Sequence, residues 1–264
     1  MDGQGKVAIV TGSATGVGAA TALALARRGY RVVINYARSE AEAHTSVAAC
    51  EAAGAEALLC RADVADDAAC RALVQATLDR FGRIDALVNN AGVTSFAGAR
   101  NWDAIVAETF QRIVGVNALG AFQMIRACAP ALQQAGGAIV NVSSTAGALG
   151  VGSSVAYIAS KGALNAMTLY FARELAPAVR VNAVCPGLIT TRWFVDGIGQ
   201  QAFDKLRAGY EAGVPLARAS SAEDVAEAVV WLVDGARTVT GELILLDGGM
   251  HLGLSKTPPI KPAA

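Results

Sequence analysis

The segment Val7-Ala8-Ile9-Val10-Thr11-Gly12-Ser13-Ala14-Thr15-Gly16-Val17-Gly18 decides how the rest of the chain is read. Its first four residues are apolar and mostly β-branched, the composition of a buried strand. Glycines follow at once, and a helical pattern follows them. A strand, a glycine-rich turn and a helix in that order let backbone approach a pyrophosphate, whose charge is stabilised by free N–H groups at the helix N-terminus. The spacing is Gly-x-x-x-Gly-x-Gly rather than Gly-x-Gly-x-x-Gly. The nucleotide reading therefore rests on where the turn stands, and it assigns Gly12, Gly16, Val17 and Gly18 to a cofactor.

Outward from that turn, short runs rich in Val, Ile and Leu alternate with longer helical patterns along nearly the whole chain. Strands are expected at Val7–Thr11, Arg31–Asn35, Ala57–Arg61, Ala86–Asn89, Ala138–Val142, Val181–Val184 and Leu243–Leu246. Strands separated by helices make an α/β fold, a doubly wound Rossmann-type parallel sheet of about seven strands with helices on both faces. Gly29, Gly54 and Gly82 stand where left-handed caps end helices. Ser220-Ser221-Ala222-Glu223 has capping-box spacing and opens a helix running to Val233. With no Pro/Ser-rich linker inside, residues 1–254 read as one catalytic domain. The Pro-rich stretch 255–264 reads as an extended or mobile tail.

Lys plus Arg number 22 and Asp plus Glu 22, so net charge is zero and gives no electrostatic reason for a nucleic-acid or acidic-membrane partner. No signal pattern opens the chain and no apolar run approaches the ~20 residues of a membrane helix, so a cytoplasmic protein is expected. Five cysteines without a C-x-x-C pair, and only two histidines, support neither a disulfide framework nor a metal site. A small-molecule substrate fits better.

The second strand ends at Asn35-Tyr36-Ala37-Arg38-Ser39, where an NAD site usually places an acid for the ribose 2′-hydroxyl. Arg38 and Ser39 suit a 2′-phosphate instead, through charge-assisted hydrogen bonds, and favour NADP; a solvated loop arginine is the competing reading. Asp63-Val64 after the third strand can accept from an adenine amino group, or simply cap a loop. Asn89-Asn90-Ala91-Gly92 after the fourth suits a cofactor crevice, with turn chemistry as the competing explanation. Tyr157 and Lys161, four residues apart on a helix, share one face. A nearby cation favours phenolate, so Lys161 is expected to lower the Tyr157 pKa and make it an acid or base.

Taken together, Thr11-Gly-x-x-x-Gly-x-Gly18, Asn89-Asn-Ala-Gly92, Asn117, Ser144, Tyr157-x-x-x-Lys161 and Pro186-Gly187 resemble the short-chain dehydrogenase/reductase family, over nearly all the chain. The resemblance implies a catalytic set of Asn117, Ser144, Tyr157 and Lys161. Ser144 rather than Ser143 is implied because it precedes the tyrosine by 13 positions. It also implies that Pro186, Gly187, Ile189 and Thr191 bind near the nicotinamide, joining Tyr36, Arg38, Ser39, Asp63, Val64, Asn90 and Gly92 as cofactor residues. Ser144 and Tyr157 would polarise a substrate carbonyl for hydride from NADPH, and Tyr157 would protonate the alkoxide. Lys161 would hold the nicotinamide ribose, and Asn117 would fix a water linking the proton path to solvent.

Within the family the chain is most similar to 3-oxoacyl-(acyl-carrier-protein) reductases, on Val33–Ser39 and Cys185-Pro186-Gly187. The uncharged segment Pro130–Gly137 departs from the basic docking patch such enzymes present, which keeps a free ketone or acyl-CoA-like substrate open. An NAD-preferring alcohol or sugar dehydrogenase, and a catalytically idle nucleotide-sensing or scaffolding member, are the other readings. Specificity is expected in an irregular segment, Leu188–Ala219, whose Trp193, Phe194, Ile198, Phe203 and Tyr210 either line an apolar lid or pack a helix pair. Family members commonly form tetramers or dimers through two long helices, here Phe110–Gln134 and Val155–Ala176.

Overall fold

The apolar runs become seven parallel strands in a computed structural model that describes residues 3–97 and 101–253. They are β1 (Val7–Val10), β2 (Arg31–Tyr36), β3 (Ala57–Arg61), β4 (Ala86–Asn89), β5 (Ala138–Val142), β6 (Arg180–Pro186) and β7 (Leu243–Leu246). The sheet order is β3-β2-β1-β4-β5-β6-β7, every pairing parallel. Chain direction across the sheet therefore reverses between β1 and β4, and a crevice opens there at the carboxyl ends. The tail read at 255–264 lies outside the described residues.

Strand alternation sorts the core into two layers. Ala8 and Val10 face one side with Val32, Ile34, Val140 and Val184, under α1 (Gly16–Arg27), α2 (Glu40–Ala52) and the late helix Ala222–Val230. Val7 and Ile9 face the other with Leu87, Ile139 and Val181, against α3 (Asp67–Phe81) and the helix Gly120–Ala135. Gly29, Gly54 and Gly82 follow their helices at φ values of 89°, 88° and 74°, the left-handed geometry a Cβ opposes.

Several boundaries differ from the sequence reading. The expected long helix is α4 (Ala107–Val114), a π turn over Gly115–Leu119, then α5 (Gly120–Ala135). That run of 29 residues is apolar enough to cross a membrane, contrary to the expectation that none would be. Met124, Ile125, Cys128 and Leu132 bury it as a core helix beneath the sheet. After α6 (Thr145–Leu149) and α7 (Val155–Glu174), the segment read as irregular contains α8 (Arg192–Ile198) and α9 (Gln200–Gly213). The capping box before α10 (Ala222–Val230) is one residue later than read: Ser221 caps, and Asp224 answers it.

Candidate active site

The carboxyl ends of the strands surround a cavity of about 760 Å³. At its phosphate end the turn after β1 has Gly12 at φ +62° and Gly16 at φ +57°. A Cβ at Gly12 would stand 2.8 Å from the Ala91 Cα, and one at Gly18 would overlap the Asn90 amide. Asn35 holds the turn from below: its Oδ1 accepts from Gly12 N at 3.1 Å and its Nδ2 donates to Ala62 O at 3.0 Å. Asn90 holds it from beside, donating to the Thr11 and Gly12 carbonyls at 2.9 and 3.0 Å. The Asn90 side chain is thus committed to shaping the turn. No side chain caps α1 and no acid stands in its first turn, so its N–H groups are available to an anion.

Tyr36, Arg38, Ser39, Asp63 and Val64 line the cavity toward β2 and β3. Arg38 is exposed, and Ser39 begins α2 without spending its hydroxyl on a cap. The Tyr36 hydroxyl donates to Glu40 at 3.0 Å. One Asp63 oxygen accepts from Ala65 N at 3.0 Å, so this side chain does cap its own loop. The donor-rich turn fits a dinucleotide pyrophosphate, and among the described residues neither the Arg38 guanidinium nor the Ser39 hydroxyl is taken up by a hydrogen bond.

At the other end β5 and β6 deliver Ser144 and Pro186-Gly187, and α7 delivers Tyr157 and Lys161. Ser144 caps α6, accepting from Ala146 N at 3.1 Å, and its hydroxyl lies 3.5 Å from the Pro186 carbonyl. Ser143 is turned away and buried, donating to Asn165 at 2.6 Å. The two neighbouring serines thus have different hydrogen-bond partners. Ile189 and Thr191 also line this end, with Gly187 packed so closely on Tyr210 that a side chain there would overlap the phenol oxygen.

Lys161 is buried, and its Nζ donates to Val142 O at 2.7 Å while lying 5.7 Å from the Tyr157 ring centroid. The expectation that this cation lowers the tyrosine pKa is not met. Burial pushes the Tyr157 phenol up to about 12, only partly offset by the Ser144 hydroxyl beside it. Burial also draws the Lys161 ammonium down to about 8. In both groups desolvation is the largest cause of the shift.

Asn117 sits buried in the π turn and does not itself line the cavity, which it reaches through Gly92 and Val93. Its Oδ1 accepts from Val93 N at 2.8 Å, and its Nδ2 donates to Val93 O and Ser160 Oγ at 2.9 and 3.0 Å. It ties the loop after β4 to α7, with Gly92 between it and Lys161. A π turn at such a junction is invisible to helical periodicity.

The aromatic segment satisfies both of its earlier readings. Trp193, Phe194 and Ile198 line the cavity, and the Trp193 ring centroid lies 6.4 Å from that of Tyr157. Phe203 is buried and stacks on Phe194, packing α8 against α9. Tyr210 does both, donating to Asp247 O at 2.6 Å. Sequence reading missed Phe96, whose ring fills the space a side chain at Gly197 would take. It also missed an ion pair at 3.0 Å from Arg192 at the start of α8 to Glu42 on α2. Nothing in local sequence signals that contact, since the partners are 150 positions apart.

Residues 12–251 match a family model described as enoyl-(acyl carrier protein) reductase. A Streptomyces violaceoruber protein provisionally assigned as ketoacyl reductase 2 of the granaticin polyketide synthase is 42% identical over 250 residues, covering 94% of this chain and 97% of that protein. The 3-oxoacyl-[acyl-carrier-protein] reductase FabG of Staphylococcus aureus is 35% identical over 255 residues, covering 94% and 98%. A solved Burkholderia xenovorans chain, provisionally assigned to the short-chain dehydrogenases/reductases, superposes with a TM-score of 0.87 at 40% identity, covering 94% and 98%.

Proposed function

The chain belongs to the short-chain dehydrogenase/reductase family, and from that premise we propose that it is an NADPH-dependent reductase of apolar carbonyl compounds. The observation that carries this reading is the convergence of Ser144, Tyr157 and Lys161 on one cavity, with Trp193, Phe194 and Ile198 forming an apolar wall beside the phenol. Gly12, Gly16, Val17 and Gly18 would receive the pyrophosphate on the α1 N-terminus. Arg38 and Ser39 would hold the 2′-phosphate, with Tyr36, Asp63 and Val64 along the adenosine half, and Asn90 and Gly92 would border the cofactor crevice, Gly92 beside Lys161. Pro186, Gly187, Ile189 and Thr191 would border the nicotinamide. Bound NADPH supplies a hydride.

The protein's own groups then handle orientation and the proton. Ser144 and Tyr157 hydrogen-bond the substrate carbonyl oxygen and stabilise the charge that develops there. A phenol held near 12 is fully protonated at neutral pH, the state a proton donor needs. Lys161, cationic below about 8, keeps positive charge beside the ribose and the developing alkoxide. Asn117 fixes the loop at Val93 against the turn of α7 that carries Tyr157.

An apolar wall admits a free ketone or a 3-oxoacyl thioester, and the uncharged Pro130–Gly137 segment makes a free ketone or acyl-CoA-like substrate at least as good a reading as a carrier-bound one. The reading takes residues 1–254 as one cytoplasmic catalytic domain. Exposed Phe110 and Leu119 on one long helix, and Val155, Leu169 and Tyr170 on the other, supply apolar surface for a dimer or tetramer. NADPH absorbance measured against ketones, 3-oxoacyl-CoA and carrier-bound thioesters tests the assignment. Tyr157→Phe should keep nucleotide affinity and lose turnover by about 10²–10⁴. A variant as active as wild type refutes the proton-donor role. No turnover of any carbonyl by wild type favours the idle alternative, and a preference for NADH favours the dehydrogenase one.

A further inference from the structure

One turn beyond Lys161 on α7, Asn165 lies beneath the floor of the cavity, 6% exposed. Its Oδ1 accepts from Ser143 Oγ at 2.6 Å and from Cys185 Sγ at 3.8 Å. Each donor neighbours a residue that borders the reacting centre: Ser143 precedes Ser144 at the end of β5, and Cys185 precedes Pro186-Gly187 at the end of β6. The Ser143 hydroxyl also lies 3.3 Å from the Lys161 carbonyl, and Ser143 N donates to Val184 O at 2.8 Å. One oxygen atom thus joins the serine strand, the nicotinamide-side strand and the lysine helix.

This tie is held at a cost. The Asn165 Nδ2 is buried without a hydrogen-bond partner, and an orphaned buried donor costs about 1–3 kcal/mol. Leucine has similar volume and no orphan, so packing alone does not account for an amide here. What asparagine offers and leucine lacks is the acceptor.

We propose that Asn165 is a positioning residue, which registers Ser144 against Tyr157 and the Pro186-Gly187 loop by anchoring Ser143 and Cys185 to the helix that carries Lys161. The Ser144 hydroxyl meets Ala146 N at 3.1 Å, Pro186 O at 3.5 Å and the Tyr157 phenol beside it, and none of these contacts fixes the strand end that carries the serine. Its aim therefore depends on the backbone before it. A displacement of about 1 Å at a reacting centre lowers rate by about 10²-fold. The proposal rests on the oxidoreductase reading above.

The test separates stability from turnover. Asn165→Leu removes both the acceptor and the orphaned donor. It should leave thermal stability and NADPH affinity, read by nucleotide fluorescence, within about twofold of wild type while kcat falls at least about tenfold. KM for the carbonyl substrate should move less than kcat. Asn165→Asp keeps the acceptor but buries a carboxylate, so it should melt earlier and yet retain most of the wild-type kcat at temperatures where it is folded. If Asn165→Leu does not fold, Ser143→Ala breaks the same tie from the other end and should show the same selective loss of kcat. A folded Asn165→Leu or Ser143→Ala with kcat within about twofold of wild type overturns the positioning role. So does an Asn165→Asp that loses as much kcat as the leucine variant. Wild type that turns over no carbonyl compound overturns the oxidoreductase reading, and the positioning role with it.

Discussion

Replacing Lys161 with methionine should make the protein more stable at neutral pH while removing its turnover. The side chain is 4% exposed and, among the described residues, its hydrogen bond is the one to Val142 O at 2.7 Å. Burial lowers its pKa from 10.5 to about 8. Between these values the unfolded chain binds more protons than the folded one, so stability rises with pH across the window from about 8 to 10.5 and is lowest below it. At pH 7 the lysine is charged in both states, and its burial costs about 3 kcal/mol.

Methionine keeps the length and packing of the stem and carries no charge. It leaves the Val142 carbonyl one donor short, which costs about 1 kcal/mol. The net expectation is a gain of about 2 kcal/mol at pH 7. At pH 9.5 the burial cost in wild type has fallen to roughly 1 kcal/mol, so the gain shrinks to near zero. Urea unfolding followed by tryptophan fluorescence, without nucleotide, at both pH values reads this difference directly. A Lys161→Met protein less stable than wild type at pH 7, or a gap between the two that does not change with pH, refutes the reasoning.

Three further outcomes follow from individual contacts. Arg38→Ala should raise the Kd for NADPH about tenfold and leave that for NADH nearly unchanged, because only NADPH carries a 2′-phosphate; equal effects on both, measured by fluorescence titration, would count against the phosphate site. Arg180 on β6 donates to the Leu232, Ala236 and Val233 carbonyls at 2.7, 2.9 and 2.7 Å, capping the π turn after α10. Arg180→Met should therefore cost about 2 kcal/mol in urea unfolding, with the catalytic constants little changed. At Gly18 an added Cβ overlaps Asn90 Nδ2 and Gly12 O, so Gly18→Ala should weaken both cofactors alike, and titrations showing wild-type affinity would contradict the turn geometry.

The sheet was legible because its information is local. Val7–Val10 and Ala138–Val142 are short apolar runs, and the helices between them end at Gly29, Gly54 and Gly82, where the backbone itself demands glycine. The segment from Leu188 to Ala219 was misread for an equally local reason. Gly197 and Gly199 interrupt it, yet Phe203, Leu206 and Tyr210 already stand on one helical face in α9. Contacts between distant polar residues leave no such trace. Asn35 under the glycine turn, Arg192 on Glu42 and Arg180 at the end of α10 each depend on partners that only the folded sheet brings near.

The same distinction governs the tyrosine–lysine pair. Spacing alone says that the two side chains share a helix face, and a cation beside a phenol favours phenolate. Spacing says nothing of the medium between them. Here the medium decides the sign: burial moves the phenol up to about 12 and the ammonium down to about 8, each toward its neutral form. At neutral pH this leaves a protonated Tyr157 and a largely protonated Lys161, the proton inventory that reduction of a carbonyl consumes. Alcohol oxidation needs the phenolate, so its kcat should keep rising with pH above 8 while that of reduction does not. Steady-state profiles in the two directions that run parallel would show that Tyr157 is not the group exchanging the proton.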